Sequence, residues 1–199
     1  MITKYDRELE DILSANAGII TSGEAQAAGA TRPAFSDYAR RRGLERVSRG
    51  MYADPDTLPD EMVLIQKRFP KAIFSHDSAL YLHDMTDREP MPLSVTVDSS
   101  YNASQLKSQG VRVHYVKSEW YNLGVTKVQT PDGNTVRSYD RERTICDLIR
   151  KRTSTDPAVF RQAIQSYIRS KNKNLVRLSE YAKAMNMESR VRGVMEVAL

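Results

Sequence analysis

The sequence predicts an α+β protein in two parts: a small helical unit closed by a hairpin over residues 1–54, and a mixed α/β domain over 60–199 whose tail is helical from about 141. Three observations predict it. Apolar residues recur at helical spacing through residue 42 and then switch to two short extended runs. Between 72 and 139, short runs rich in Val, Ile and Tyr are separated by turn residues. From 141 onward the helical period returns and dominates to the end.

The composition narrows the class before any element is placed. Of 199 residues, 40% are hydrophobic, enough for a core, which excludes a disordered chain. Charged residues make up 28%, and no uncharged apolar run reaches the length of a membrane span. The opening Met1-Ile2-Thr3-Lys4-Tyr5-Asp6-Arg7-Glu8 carries charge where a signal peptide is apolar, so a cytoplasmic location is expected, with no membrane partner. The single cysteine, Cys146, cannot form an intrachain disulfide, and with three scattered histidines no metal or cofactor is expected.

Each element has a local cause. Tyr5, Leu9, Ile12 and Leu13 share one helix face, with Thr3 as N-cap and an end near Asn16 and Gly18. Gly18-Ile19-Ile20 reads as an extended connector. Thr21-Ser22-Gly23-Glu24 has the spacing of a capping box, so a short helix over 22–28 follows. Thr31 caps a third helix over 32–42, with Pro33 in its first turn and Gly43 as its stop. On that helix Phe35, Tyr38 and Ala39 face inward, so Ser36, Asp37 and Arg40 point away and Arg41 lies on the flank. Residues 44–47 and 51–53 read as two strands joined through Ser48, Arg49 and Gly50.

Helix, short helix, helix and basic hairpin in this order make a winged helix-turn-helix. A helix fits the major groove and offers side chains to base edges, leaving the hairpin for the backbone or minor groove. Residues 32 to 53 hold 6 basic side chains, all arginine, against 2 acidic ones. The expected DNA-binding set is Arg32, Ser36, Asp37, Arg40, Arg41, Arg42, Arg46, Ser48 and Arg49. The guanidinium fork suits phosphate and guanine. A protein-binding module, with Arg40, Arg41 and Arg42 as a helix C-terminal charge cluster, is the alternative.

The Pro- and Asp-rich stretch over 54–60 reads as the domain boundary. Beyond it come a helix over 61–68, a strand over 72–74, a helix over 76–85 capped by Ser75, and strands over 93–97, 111–116, 125–129 and 136–139, the last two joined by a turn at Pro131-Asp132-Gly133-Asn134. His76 and His83, seven apart, fall on one face of the expected helix, but about 10 Å apart along its axis, too far for one ion. Asp140 caps the next helix, on which Ile145, Leu148 and Ile149 face inward, Cys146 packs as a small hydrophobe, and Glu142, Arg143 and Asp147 pair locally. No nucleophile elbow, P-loop, dinucleotide fingerprint or zincin motif occurs, so no catalytic set is expected. Residues 150 to 199 hold 11 basic against 4 acidic side chains. Lys171, Lys173, Arg177, Lys183, Arg190 and Arg192 form a secondary basic patch, open to phosphate, to an acidic partner or to solvent alone.

Taken together, three strings resemble the AbiEi family, antitoxins of bacterial type IV toxin-antitoxin and abortive-infection systems. They are Arg46-Val47-Ser48-Arg49-Gly50-Met51-Tyr52, Phe74-Ser75-His76-Asp77-Ser78-Ala79-Leu80-Tyr81-Leu82-His83, and Asp140-Arg141-Glu142-Arg143-Thr144-Ile145-Cys146-Asp147-Leu148. Their order and spacing cover nearly the whole chain. The resemblance implies a non-enzymatic autorepressor that binds inverted repeats of double-stranded DNA in its own promoter. It also implies that the second domain counteracts a nucleotidyltransferase-like toxin without a stable complex. It assigns no residue to that second role, and Phe35 and Tyr38 stand where smaller aliphatic residues are more usual. Two other readings stay open: a DNA-targeted nuclease or nucleotidyltransferase, with Asp98, Asp140 and Asp147 as metal-binding carboxylates, and a DNA-binding adaptor that sequesters a protein partner.

Overall fold

A computed structural model describes residues 5–198, so the expected Thr3 cap lies outside the described residues. The chain is α+β, with two sheets among its helices. By its internal contacts it forms two units, Met1–Pro70 with Thr130–Thr135, and Lys71–Gln129 with Val136–Leu199.

The first unit runs α1 (Asp6–Ala15), β1 (Ile19–Thr21), α2 (Ser22–Ala27), α3 (Arg32–Arg42), β2 (Glu45–Ser48), β3 (Met51–Ala53) and α4 (Glu61–Arg68). The Ile19-Ile20 connector becomes an edge strand. It pairs antiparallel with β3, Ile20 opposite Tyr52, giving a three-stranded sheet in the order β1-β3-β2. Leu9, Leu13, Ile20, Ala25, Phe35 and Tyr38 are buried together beneath it; full burial of each large apolar side chain is worth about 1.5–3 kcal/mol. The capping box forms as the spacing predicts: Thr21 Oγ1 accepts from Glu24 N at 3.1 Å while Glu24 Oε2 accepts from Thr21 N at 2.8 Å. Gly18, at φ +72°, could not carry a side chain, because a Cβ there would lie 2.9 Å from Thr57 Cβ.

The stretch over 54–60, expected as a linker, is tied into this unit. Asp54 is buried and accepts from Arg42 Nη2 at 2.9 Å. Asp60 is also buried; its Oδ1 caps α4 by accepting from Met62 N at 2.8 Å, and its Oδ2 accepts from Thr130 Oγ1 and Asn134 Nδ2. Burying a carboxylate requires such partners. The unit therefore continues through α4 to Pro70 and takes in the turn at 130–135.

The second unit contains β4 (Ile73–Phe74), α5 (Asp77–Leu82), β5 (Ser94–Asp98), α6 (Ser104–Ser108), β6 (Arg112–Val116), α7 (Ser118–Tyr121), β7 (Val125–Gln129), β8 (Thr135–Tyr139), α8 (Arg141–Arg150), α9 (Pro157–Arg169), α10 (Leu175–Ala184) and α11 (Glu188–Ala198). The sheet order is β6-β5-β4-β8-β7, with β4 antiparallel to β5 and parallel to β8, and β5 parallel to β6. Helix α8 is the centre of the helical layer, packed by α5, α9, α10 and α11. Its whole run from Glu142 to Ile149 is buried. Ile145, Leu148, Ile149, Ala163, Ile164 and Tyr167 form the heart of this core.

One expected helix is shortened, and two unexpected ones are added. The helix expected over 76–85 spans only Asp77–Leu82, with His76 rather than Ser75 at its N-cap and no side-chain cap. Helices α6 and α7, at five and four residues, are too short to leave a periodic signal.

Candidate nucleic-acid interface

Helix α3 is bounded by the residues that predict it. Thr31 Oγ1 accepts from Ala34 N, Pro33 sits in the first turn, and Gly43 at φ +71° lets the chain turn back. Phe35, Tyr38 and Ala39 are buried, which turns Ser36 and Arg40 outward, and Arg32 is exposed in the first turn. Arg32 has no ion-pair partner among the described residues.

The three consecutive arginines divide by partner. Arg41 makes a two-pronged pair with Asp6 of α1, Nη1 to Oδ2 and Nη2 to Oδ1, both 3.0 Å, and its Nε reaches Asp37 Oδ2 at 3.2 Å. Arg42 bridges Glu10 Oε1 at 3.1 Å and Asp54 Oδ2 at 2.9 Å. Both guanidinium groups are thereby held above their ordinary pKa, Arg41 chiefly by the Asp6 hydrogen bonds and Arg42 chiefly by the charge of Glu10. Tyr38 OH donates to the same Glu10 at 2.9 Å. Arg41 and Arg42 thus tie α3 to α1, whereas Arg40 pairs, among the described residues, only with Asp37, one turn back on its own helix, and keeps 80% of its side chain exposed. That pair lowers the Asp37 pKa, the Arg40 hydrogen bond first and Arg41 after it. An exposed pair of this kind contributes little to stability and can be exchanged for another anion.

An aromatic contact docks the hairpin on α3. Tyr52 meets Phe35 edge to face, ring centroids 5.2 Å apart at 89°. Arg46 lies opposite Tyr52 in the register, so its side chain leaves the same strand pair, and its Nε donates to Ser48 O at 3.3 Å. The register shift between Arg46 and Ser48 turns Val47 outward, and Ser48 is half-buried. Arg49, at the turn, is exposed and without an ion-pair partner among the described residues. The structure therefore gathers Arg32, Ser36, Arg40, Arg46 and Arg49 as accessible groups of one unit, while Arg41 and Arg42, exposed as well, are committed to ion pairs with Asp6, Glu10 and Asp54.

One interaction of this unit had no sequence signal. Lys67 of α4 pairs with Glu24, which also accepts from Asn16 Nδ2 at 3.2 Å. Burial pushes the Glu24 pKa up, but the hydrogen bonds from Lys67 and Thr21 outweigh it and the net shift is down.

In the second unit the secondary basic residues lie on α10, α11 and the segment before α10. Lys171, Arg177, Lys183, Arg190 and Arg192 are exposed, and Lys173 Nζ donates to Ser170 O at 3.2 Å. The polar string on α8 is internal. Asp140 Oδ1 accepts from Arg143 N at 2.8 Å as the expected cap. Arg143, fully buried, pairs with Asp147 at 3.2 Å, donates from Nη1 to the carbonyls of Trp120 and Leu123, and lies 4.1 Å over the Tyr139 ring. Cys146 is buried too, and desolvation pushes its thiol up to about 12.

His76 and His83 do not share a site. His83 Nε2 bonds the Tyr139 carbonyl at 2.7 Å. His76 sits at φ 51°, ψ −123°, a region that costs a non-glycine residue about 1–3 kcal/mol. There its ring stacks on His114 of β6, centroids 3.6 Å apart and 13° from parallel, while its Nδ1 lies 3.1 Å from Ser75 Oγ.

No family model matches the chain, and no curated protein does. Among solved structures, the crystal structure of the RV2827C protein from Mycobacterium tuberculosis is similar to it over 98% of this chain and 82% of its own, with a TM-score of 0.54 at 12% sequence identity. At that identity the likeness is one of fold.

Proposed function

We propose that the first unit is a winged helix-turn-helix that reads duplex DNA, and that the chain is an antitoxin and autorepressor of the AbiEi kind. On this reading it binds inverted repeats in its own promoter and counteracts a nucleotidyltransferase-like toxin. The observation that carries the DNA half is the division of the arginines. All are exposed, but Arg41 and Arg42 are committed to acidic partners outside α3, while Arg32, Arg46 and Arg49 have no ion-pair partner among the described residues and Arg40 has an exposed one on its own helix. A helix so placed can enter the major groove with Ser36 and Arg40 toward base edges, and the hairpin arginines can take phosphates. The antitoxin half rests on the resemblance of the strings around His76 and Asp140.

Fluorescence anisotropy with the upstream promoter and a random duplex of equal length tests the DNA half. The promoter is expected to bind more tightly, and Arg40→Ala is expected to reduce the discrimination by about 1–3 kcal/mol. Equal affinity for both duplexes contradicts the reading. For the second half, full-length Arg40→Ala chain is expected to relieve growth arrest by the toxin encoded next to it, because relief does not require operator binding. Failure of the unsubstituted chain to relieve arrest overturns it.

A further inference from the structure

The second unit contains a cavity of about 410 Å³ that the DNA reading does not use. At its closed end lie Leu80 and Leu148, both buried, together with the stacked rings of His76 and His114. At its mouth stand Arg88, Arg112 and Lys151, all exposed. The volume is within the range of small-molecule sites and near its lower end, so it admits a mononucleotide-sized ligand and not a peptide.

The charges at the mouth say which kind of ligand. Arg112 pairs with Asp77 at 2.9 Å, and Arg88 with Asp156 at 3.4 Å, both pairs largely exposed and so easily exchanged. Lys151 has no acidic partner among the described residues, and its charge bears on both imidazoles. One uncommitted cation flanked by two exchangeable ones suits a single phosphate. The carboxylates of Asp77, Glu89 and Asp156 at the same opening oppose a polyanion and can accept from sugar hydroxyls or a base amino group. Met91 and Val159 extend the apolar wall against which a planar ring can lie.

Two further observations point to a ligand. His114 Nε2 is buried without a hydrogen-bond partner among the described residues, so the imidazole lining the cavity carries an unmet polar atom. The neighbouring His76 is held in its strained backbone conformation while its ring stacks on this same imidazole.

We propose that this cavity binds a nucleoside monophosphate, with the phosphate on Lys151, Arg112 and Arg88 and the nucleoside along the apolar wall above the paired histidines. The site is independent of the DNA-reading face, and the experiment separates the two. Calorimetry on the full chain is run with the common nucleoside monophosphates, the matching nucleosides and inorganic phosphate, while NMR follows the ring resonances of His76 and His114. At least one monophosphate is expected to bind saturably with submillimolar Kd and to shift both rings. Its nucleoside and inorganic phosphate are expected to bind at least about 10-fold more weakly, and Lys151→Glu to weaken it by about 10-fold without changing the Tm of the free protein. Arg49→Ala is expected to leave it unchanged. No saturable binding by any monophosphate overturns the proposal. So does binding that ignores Lys151→Glu and leaves both rings unmoved, which would place the ligand elsewhere. Phosphate binding as well as the best monophosphate reduces the site to an adventitious anion trap and overturns it equally.

Discussion

His76 and His114 show how far packing can move a side chain from its free behaviour. Burial is the first cause at both; the charges of Lys151, Arg143 and Arg112 add to it at His76, and His76 and Lys151 add to it at His114, so each pKa is lowered from 6.5 to about 3. Asp147 and Asp77 pull the other way at His114 and do not prevail. An imidazole depressed in the folded state binds its proton more readily in the unfolded chain. Its contribution to stability is therefore complete above the ordinary value of 6.5 and drains away as pH falls from there toward about 3. Urea unfolding is expected to give a lower free energy at pH 5 than at pH 7, and His114→Phe, which keeps a stacking ring but binds no proton, is expected to flatten that slope. A wild-type profile without loss below pH 6.5 contradicts this account of the pair. On the same scale, Arg143→Met leaves the Asp147 carboxylate buried without its cation and is expected to cost about 3–5 kcal/mol in equilibrium unfolding. A cost under about 1 kcal/mol, typical of surface pairs, would show that water reaches the site.

Among the elements, the hairpin is held by its ladder with β1 and by the aromatic edge of Tyr52 on Phe35. Tyr52→Ala removes the ring that meets Phe35 and is expected to destabilise the first unit by about 1 kcal/mol or more. It is also expected to weaken DNA binding, although no charge is lost, because β2 and β3 would no longer hold Arg46 and Arg49 beside α3. Undiminished DNA affinity at normal stability contradicts the role given to the hairpin. How much of this was legible in the sequence follows from which signals are local. Thr31, Pro33 and Gly43 delimit α3, and Thr21 with Glu24 starts α2, because caps and turns act over three or four residues. The partners of Arg41 and Arg42 are 35 and 32 residues away on α1, and no spacing rule reaches that far. The same holds for Asp60, whose hydrogen bonds to Thr130 and Asn134 bind the supposed linker into the unit, and for His76, which finds His114 only through the pairing of β4, β5 and β6. Arg143 reads as a surface partner of Asp147 by spacing alone. Its burial is set by the α7–β7 segment and β8, whose Trp120 and Leu123 carbonyls and Tyr139 ring enclose the guanidinium.

Across the whole molecule, the cations that build the fold are distinct from those left for a partner. Arg41, Arg42, Lys67 and Arg143 each have acidic partners within their own unit, so their loss should appear in stability. Arg32, Arg40, Arg46 and Arg49 contribute little to the packing and should appear in binding. No helix among the described residues is long and apolar enough to cross a membrane, and the excess of basic side chains, 30 against 25 acidic, is concentrated in 32–53 and 150–199. The measurement that bears most directly on the DNA-reading face is the salt dependence of promoter affinity for the unsubstituted chain and for Arg46→Ala/Arg49→Ala. If the hairpin holds two phosphates, the slope of log K against log salt becomes shallower by about 2 while the promoter stays preferred over random duplex. An unchanged slope would mean that the hairpin arginines touch no phosphate, and the first unit would not be the DNA reader proposed.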